Sequence, residues 1–241
     1  DYLIGDKPVF KMFGEYLFGK KNGLWISFYR NGNRQVAQTF SFDRLHGEVY
    51  YFYEVGRLKG KANFYQGIKH GVEEFYYPNE TVEKQREYKQ GILEGIETTY
   101  YSNGNKAYEG EFFLGQRIGK WISYHAQTED VIKESFFENG SGNWYVFNEE
   151  GILREESYYN KGVLSGEHKT FYENLTLKVK DRYLHGVLSG LQEEFSQNGT
   201  LIKKKIWEKG VPSSNYVLSF GNGRKKQEGK FVGSLVAGQY F

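Results

Sequence analysis

Cysteine is absent from the 241-residue chain, and proline occurs only 3 times. Without cysteine, neither a disulfide framework nor a thiolate metal site can form. For the same reason, cysteine usage does not indicate whether the protein works in an oxidising or a reducing compartment. No apolar run reaches the ~18 residues that a membrane-spanning helix needs. An excess of one charge is lacking too, because 32 Lys and Arg nearly balance 30 Asp and Glu. The net charge of +2 therefore gives no indication of a nucleic-acid partner.

Glycine and aromatic residues are abundant instead. The chain has 30 Gly, 21 Tyr, 19 Phe and 4 Trp, and aromatic residues make up 18% of it. This mixture favours strands and tight turns over helices, because aromatic side chains fit a pleated sheet and glycine permits sharp turns. The mean hydropathy of −0.69 is low, so the aromatic residues must provide most of the buried surface. We expect an all-β protein with a thin core rich in Tyr and Phe.

A repeat of 24 residues decides the predicted fold. Its first register is a glycine, replaced once by serine, at these positions: Gly23, Gly47, Gly71, Gly95, Gly119, Gly142, Gly166, Gly190, Ser214 and Gly238. The interval before Gly142 is 23 residues, which indicates one residue missing between Thr128 and Gly142. A second turn signal follows nine residues after the repeat glycine, and in four repeats it is Asn-Gly, as at Asn31-Gly32. Asn-Gly predicts a type I′ hairpin turn, in which both central residues have positive φ.

Each repeat therefore predicts one β-hairpin. In the first complete repeat, strands at 24–29 and 34–42 flank the Asn-Gly turn, and a polar link at 43–46 leads to the next glycine. Two strands per repeat leave no room for a helix. We predict an elongated, solenoid-like antiparallel meander of about ten β-hairpin repeats, forming a single array over residues 1–241.

Aromatic residues also recur in register and distinguish the two faces of the predicted sheet. The fifth residue after the repeat glycine is aromatic in eight repeats: Phe28, Phe52, Tyr76, Tyr100, Tyr124, Phe147, Phe171 and Phe195. Because side chains alternate along a strand, we expect this row to share a face with the first and third residues and to be the buried seam.

The sixth residue after the repeat glycine gives a row of tyrosines on the other face. This tyrosine row is the candidate binding strip: Tyr29, Tyr53, Tyr77 and Tyr101. Tyrosine offers a large contact area with a polar tip, which suits recognition of a partner. Two interpretations stay open. The row either faces solvent and binds a partner, or the sheet curls and covers it.

A second candidate site is a basic patch near the end of the chain. It consists of Lys203, Lys204, Lys205, Arg224, Lys225 and Lys226. Both runs follow an Asn-Gly turn, so we expect them near one edge of adjacent repeats. Such a patch could meet an anionic membrane or an acidic protein surface. The alternative is that these lysines only keep a sheet edge soluble.

Other residue clusters point less clearly to chemistry. His46 and His70 occupy the same repeat position, which fits either a metal pair or two exposed turn histidines. Adjacent acids such as Glu73-Glu74 could support acid–base chemistry only if they converged, and neighbours on a strand point to opposite faces. We therefore expect no enzyme activity, no cofactor and no metal.

Two segments, 14–25 and 110–121, resemble MORN repeats in their spaced glycines and their G-x-x-x-G-x-W ending. The Tyr-x-x-Asn-Gly element at 100–104 is similar to the bacterial MORN-variant subfamily. This resemblance implies an extended, twisted antiparallel meander, and that subfamily includes antitoxin-like members. Glycines of the motif are replaced at three positions, where we expect deviations in the turn: Asp43, Glu138 and Ser214.

These observations favour a non-enzymatic repeat module for protein interaction or surface display. The expected partner is an unidentified protein, and self-association is compatible with the array. The first alternative is an antitoxin-like or immunity-like protein that neutralises a toxin, which the resemblance alone implies. The second is association with a membrane surface through the basic patch. The lack of both cysteine and an initiating methionine favours a secreted or cell-envelope location in a bacterium.

Overall fold

A computed structural model shows an all-β protein, which confirms the predicted fold class. The structure describes residues 2–4, 7–9, 12–212, 215–220, 222–232 and 235–240, with side chains at 12–212, 216–220 and 222–229. The predicted deviation at Ser214 lies outside these residues. The described residues form no α-helix and hence none long and apolar enough to cross a membrane. Contacts divide the chain into two compact units, residues 1–115 and 116–241.

The strands of the two units are short and closely spaced along the chain. In the first unit they are β1 (Tyr2–Ile4), β2 (Lys7–Val9), β3 (Met12–Leu17), β4 (Lys20–Phe28), β5 (Arg34–Ser41), β6 (Arg44–Phe52), β7 (Leu58–Tyr65), β8 (Ile68–Tyr76), β9 (Val82–Lys89), β10 (Ile92–Leu93), β11 (Gly95–Tyr100) and β12 (Lys106–Phe113). In the second unit they are β13 (Gln116–Tyr124), β14 (Val131–Phe137), β15 (Gly142–Phe147), β16 (Leu153–Asn160), β17 (Val163–Phe171), β18 (Leu177–Leu184), β19 (Val187–Leu188), β20 (Gly190–Phe195), β21 (Leu201–Glu208), β22 (Val211–Pro212), β23 (Asn215–Ser219), β24 (Lys225–Val232) and β25 (Leu235–Tyr240).

Within each unit, strands that follow one another in the chain pair antiparallel, as the repeat predicts. In the first unit the pairing follows chain order from β3 to β12, and the short β10 pairs with β9. In the second unit β13 pairs with β14, and β15 to β25 follow chain order, with β19 and β22 as short pieces paired with β18 and β21. A separate hairpin joins β1 and β2. Each repeat thus contributes one hairpin to a meander.

The links between repeats are two-residue hairpin turns, which we call the hairpin tips. Strand β5 ends at Ser41 and β6 begins at Arg44, so the polar link predicted at 43–46 is wrong. In the preceding tip, Phe18 and Gly19 have φ values of 50° and 75°, as a type I′ turn requires. The twist of this turn matches that of the flanking strands, so the strands continue up to the turn on both sides.

Successive tips are joined by a ladder of backbone hydrogen bonds. The second residue of each tip donates its N–H to a carbonyl of the preceding repeat. Gly67 N donates to Leu45 O at 2.7 Å in the first unit, and Gly186 N donates to Leu164 O at 2.8 Å in the second. Because each tip is held by its neighbour, the tips form an ordered edge of each unit.

The Asn-Gly turns are three-residue loops, so the type I′ prediction is wrong for them. In the first loop, Tyr29 N donates to Asn33 O at 2.8 Å and Gly32 N donates to Tyr29 O at 3.0 Å. Gly32 has a φ of 88°, whereas Asn31 is not among the residues with positive φ. The Asn31 side chain instead accepts the Asn33 N–H at 3.0 Å and donates to Glu54 O of the next repeat at 2.8 Å. Asparagine therefore acts here through its side chain, and glycine alone takes the left-handed conformation.

Asp43 takes the place of a tip glycine without changing the turn. Its φ is 69°, and its carboxylate accepts the Lys21 N–H at 2.7 Å. Aspartate visits this region more readily than most residues, because its short side chain can bond locally. The turn deviation predicted at Asp43 is therefore wrong.

The missing residue before Gly142 arises from two separate changes. The β13–β14 loop is one residue longer than the others, because His125 N donates to Asp130 O at 2.9 Å, five positions on instead of four. The link that follows is two residues shorter, because Phe137, the cross-strand partner of Gly119, lies five residues before Gly142, whereas Phe40, the partner of Gly23, lies seven before the next repeat glycine. Glu138 consequently lies before the tip instead of replacing its glycine, and the predicted deviation at this turn is confirmed.

The buried face of each unit is opposite to the predicted one. The fifth residues after the repeat glycine, expected to be the buried seam, are all only half-buried. Burial concentrates at the second residue, where Trp25, Val49 and Trp121 are 6%, 1% and 1% exposed. Cross-strand pairing explains this, because Phe40 pairs with Gly23 and its ring meets Trp25 at 6.3 Å. We call the side carrying the second, fourth and sixth residues the inner face.

Replacing Leu175 with glycine should raise the free energy of unfolding by about 0.5–1 kcal/mol. Leu175 has a φ of 63° at a loop position that is glycine in most repeats, and its side chain is 59% exposed. The left-handed conformation costs a non-glycine residue about 1–2 kcal/mol, and the added freedom of glycine in the unfolded chain offsets part of the gain. Urea denaturation measures the change. The matched Leu177→Gly variant, within strand β18, should instead be less stable; a loss in both would refute the strain argument.

Candidate binding surfaces

The tyrosine row lies on the inner face and is bonded to the backbone of the following repeat. Tyr29 Oη donates to Phe52 O at 2.7 Å, and Tyr53 Oη donates to Tyr76 O at 2.7 Å. The third tyrosine makes the equivalent bond, and Tyr101 is only 7% exposed. The row therefore joins neighbouring repeats. Of the two interpretations given above, this geometry favours the one in which the sheet covers the tyrosine row. Binding of a partner by the row stays a prediction.

A cleft of about 350 Å³ opens on the inner face of the first unit. Its lining consists of Tyr29, Gln35, Val36, Tyr51, Phe52, Lys59, Gly60, Glu73 and Phe75. The cleft arises at Gly60, which pairs with Tyr51 on one side and with Phe75 on the other. Gly60 itself is buried, because a Cβ there would lie only 3.3 Å from the Phe75 ring, so this ring covers the glycine at the floor of the cleft. None of the residue patterns above indicated this site; its signal in the sequence is a glycine outside the repeat registers, at a position where the next repeat has Lys84.

Paired charges lie beside this cleft. Glu73 is 5% exposed, and its carboxylate accepts hydrogen bonds from Lys69 Nζ at 2.6 Å and Arg86 Nε at 2.7 Å. Burial alone would raise the pKa of Glu73, but the two cations outweigh it and hold the pKa below its usual range. Arg86 also lies 3.7 Å from Glu97. Burial, and then the charge of Glu73, raise the pKa of Tyr51.

Large apolar side chains are exposed along the hairpin tips of the first unit. We call them the apolar edge: Leu17, Phe18, Phe42, Tyr65, Ile68, Ile92, Phe113 and Leu114. Phe18 is 89% exposed. Phe18, Phe42 and Leu114 also have φ values of 50°, 49° and 49°, a region that bulky residues rarely adopt. Two basic residues, Lys20 and Arg44, directly follow the first two of these turns.

The inner face of the second unit contains a histidine between two acids. His168 Nε2 lies 3.5 Å from Glu155 Oε1, and His168 Nδ1 lies 3.5 Å from Asp181 Oδ2. The neighbouring carboxylates of Asp181 and Glu155 raise the pKa of His168 to about 9, although burial opposes the shift. The Ser157 hydroxyl donates to Glu155 at 2.6 Å, and the Tyr183 ring meets the imidazole edge-on at 5.8 Å. At neutral pH His168 is therefore a charged link between three strands.

Replacing His168 with glutamine should lower the free energy of unfolding by about 1–2 kcal/mol at pH 7, a value discounted because the imidazole is not fully buried. The folded pKa of about 9 lies above the unfolded value near 6.5. The stabilisation is therefore fully present below pH about 6.5 and is lost as the pH rises through about 9. Thermal unfolding between pH 6 and 10 measures this difference.

His185→Gln is the matched control for the His168 variant. His185 lies at a tip position where two other repeats have glutamine, at Gln66 and Gln90. This variant should follow the unmodified protein at every pH. A His168→Gln deficit that persists unchanged at pH 10 would show that the imidazole contributes packing and not charge.

The structure divides the predicted basic patch between two faces. Lys203 and Lys204 are consecutive in strand β21, so their side chains point to opposite sides of the sheet. Two of the cations are also paired with acids, Lys203 with Glu194 and Lys225 with Glu228 at 2.8 Å. The six cations therefore do not share one surface, because a continuous basic run on a strand cannot face one way.

The histidines proposed as a metal pair are both exposed on the first unit. The His46 ring lies 5.2 Å from the Tyr65 ring, and His70 is exposed in strand β8. Among the residues that the structure describes, no three His, Asp or Glu side chains come together as ligands for a metal ion.

Adjacent acids diverge, as the alternation along a strand predicts. Glu73 is buried on the inner face with Lys69 and Arg86. Glu74 lies on the opposite face, where its carboxylate is 2.9 Å from Lys61 Nζ. Each carboxylate is engaged in its own ion pair, so the two do not form a converging pair.

Comparison with known proteins agrees with this architecture. The fold is that of a β-hairpin repeat protein, with one hairpin for each 24-residue repeat. Three segments, 21–41, 69–90 and 93–113, match the family described as MORN repeat variant. These three segments are thus similar to MORN repeats, and repeats of this kind suggest a module for protein or membrane interaction. No curated protein matches the chain.

Proposed function

We propose that this protein is a non-catalytic interaction module that binds a protein partner along the apolar edge of its first unit. The observation that carries the proposal is the exposure of eight large apolar side chains in or directly beside five consecutive hairpin tips. Exposed apolar surface of this extent on a folded protein marks interaction sites, because it is otherwise unfavourable in water. The backbone ladder between the tips supports the proposal, since it orders the edge before a partner arrives.

The hairpin turns fix the backbone conformation of three residues of the apolar edge. Phe18, Phe42 and Leu114 have left-handed backbones, where glycine or asparagine would be less strained. Their side chains are exposed, so packing within the chain does not compensate for the strain. Gln66 and Gln90 at the same turn position both have a φ of 51°, so the turn imposes this conformation, and the exposed apolar side chain is what distinguishes the other three tips.

Association with an anionic membrane is the second candidate, and it concerns the same edge. Lys20 and Arg44 directly follow the tips that carry Phe18 and Phe42, so cations lie beside exposed apolar side chains at these two tips. Basic residues beside apolar groups favour an anionic lipid surface.

Neutralisation of a toxin would be one form of the protein interaction, and it rests on the resemblance alone.

The test replaces Phe18, Phe42 and Leu114 together with asparagine. Asparagine tolerates the left-handed conformation, so this variant should fold at least as well as the unmodified protein while losing the apolar contacts. The matched control replaces Gln66 and Gln90, at the same turn position, with asparagine.

The readouts are affinity capture from native cell lysate and surface fractions, and co-sedimentation with anionic vesicles. Loss of a captured protein in the triple variant, with capture retained in the control, supports the proposed function. Loss of vesicle binding alone favours the membrane instead. Capture and sedimentation that are unchanged in the triple variant contradict both.

A further inference from the structure

We infer that a pocket along the first three tips of the apolar edge binds a phosphorylated side chain of the partner polypeptide. This inference rests on the proposed function, because the pocket lies within the apolar edge and adds the chemistry of one group that the partner presents. The pocket has a volume of about 320 Å³, and we call it the tip pocket. Its lining consists of Lys20, Ser41, Phe42, Arg44, His46 and Gln66.

The backbone brings the two basic residues of the tip pocket together. Lys20 begins strand β4 and Arg44 begins β6, so both occupy the same position in successive repeats. Equivalent residues on strands two apart lie about 9–10 Å from each other, a gap that two long side chains can close. Asp43 reinforces this arrangement, because its N–H donates to Lys21 O at 2.9 Å and its carboxylate accepts the Lys21 N–H at 2.7 Å. Two bonds therefore join these tips, whereas Gly67 in the next tip has no side chain and makes only the backbone bond.

The lining of the tip pocket is rich in hydrogen-bond donors and contains no acid. Five of the six lining residues carry an N–H or O–H group, and the sixth is the exposed Phe42. Neither Lys20 nor Arg44 forms an ion pair with a carboxylate among the side chains that the structure describes. Asp43 and Glu48, the acids beside them in the chain, direct their carboxylates to a backbone N–H and to a tyrosine hydroxyl. The pocket therefore presents its donors to an anion from outside the chain.

A phosphate monoester matches this donor set better than a carboxylate does. It carries a charge of about −1.5 to −2 at pH 7 and three acceptor oxygens, whereas a carboxylate has one charge and two oxygens. The planar guanidinium of Arg44 can bind two phosphate oxygens at once, and the ammonium of Lys20 supplies a second positive charge. Neutral donors remain for the third oxygen, on Ser41, His46 and Gln66.

The distribution of the cations favours a single phosphorylated side chain over a membrane. The positions equivalent to Lys20 and Arg44 are isoleucines in the next two repeats, Ile68 and Ile92. An anionic lipid surface is best met by basic residues spread along the whole contact, because each one near the surface adds to the attraction. A local pair of cations instead fits one phosphate on a segment whose apolar residues lie along the edge.

The experiment uses the full chain and the peptide acetyl-Leu-phosphoserine-Leu-amide. Two comparison peptides carry serine or glutamate in place of phosphoserine. Backbone amide shifts followed by NMR during titration at neutral pH give the dissociation constants. We expect the phosphoserine peptide to bind at least about tenfold more tightly than either comparison peptide, a difference of about 1.4 kcal/mol.

Variants locate the binding at the tip pocket. The double variant Lys20→Gln/Arg44→Gln should weaken the phosphoserine peptide about tenfold or more, because it removes both cations. It should fold normally, since both side chains are exposed. The matched control is Arg30→Gln/Arg34→Gln, which removes two exposed arginines beside the loop at the other end of strand β4. The control should bind the peptide as the unmodified protein does.

Equal affinity for the phosphoserine and glutamate peptides, binding unchanged in Lys20→Gln/Arg44→Gln, or no binding at about 10 mM peptide would overturn the inference. Co-sedimentation with phosphatidylcholine vesicles that contain phosphatidic acid tests a lipid as the source of the phosphate. If the double variant loses vesicle binding while the phosphoserine peptide does not bind, the pocket serves a membrane and the inference is wrong.

The asparagine variant of the apolar edge separates this inference from the proposed function. If the phosphoserine peptide does not bind while that variant still loses a captured partner, the phosphate site is wrong and the proposed function stands. If the peptide binds as expected but the edge variant captures normally, the tip pocket is a site and the apolar edge is not.

Discussion

Replacing Trp121 with alanine should lower the free energy of unfolding by about 3–5 kcal/mol. Trp121 is 1% exposed and lies at the centre of an aromatic cluster in the second unit. Its ring is edge-on to Trp144 at 5.4 Å and to Phe137 at 6.5 Å, with the Arg117 guanidinium 5.0 Å from it. Alanine would leave a cavity bounded by two rings and a guanidinium, and a strand pairing at both edges cannot move inward to fill it.

Phe136→Ala is the matched control for Trp121→Ala. Phe136 is 71% exposed on the opposite side of strand β14 from Phe137, so its truncation should change stability by less than about 1 kcal/mol. Urea denaturation followed by circular dichroism measures both variants. Similar small losses would show that the inner face is not the core.

Replacing Glu73 with valine should lower the free energy of unfolding by about 2–4 kcal/mol. The single change removes the partner of Lys69 and Arg86, and it leaves Arg86 largely buried with only the more distant Glu97 to pair with. An unpaired buried charge is strongly destabilising, even though the intact ion pair contributes little beyond its own desolvation cost.

The preceding repeat supplies the compensating change. There, Val49 pairs directly with Ala62, and both are 1% exposed; Glu73 and Arg86 form the equivalent cross-strand pair. The double variant Glu73→Val/Arg86→Ala should therefore lose less stability than the two single variants together. Its loss in free energy of unfolding should be smaller than the sum of the losses in Glu73→Val and Arg86→Ala by at least about 1 kcal/mol. Recovery will be incomplete, because Glu97 also loses its cation. Strictly additive losses would mean that the two side chains are not coupled.

The periodic features of this protein were predictable from the sequence. The glycine and aromatic registers identified the repeat, the absence of helix and one hairpin per repeat, because turn preference and strand propensity are properties of a few neighbouring residues. The type of each turn was predicted less well. Asn31 stabilises its loop by side-chain hydrogen bonds instead of adopting positive φ, and the bulky Phe18 adopts positive φ in its place.

The candidate sites were less accessible to sequence reasoning. The tyrosine row was found, but its bonds to the following repeat depend on how repeats stack. The cleft was missed because Gly60 becomes significant only when Tyr51 and Phe75 are known to flank it. The apolar edge was missed because Phe42 was predicted to end a strand, whereas the structure places Phe18 and Phe42 in exposed two-residue turns.

By itself the sequence determined the fold class, the repeat length and the number of strands in each repeat. Only the tertiary structure decided which face is buried and which surfaces remain available. Counting alternate residues from Gly23 gives two equivalent faces, and the choice between them is made by the pairing of Gly23 with Phe40. That pairing places a row of rings on the glycine side, and the register between strands is set by tip and loop lengths together instead of by any one segment.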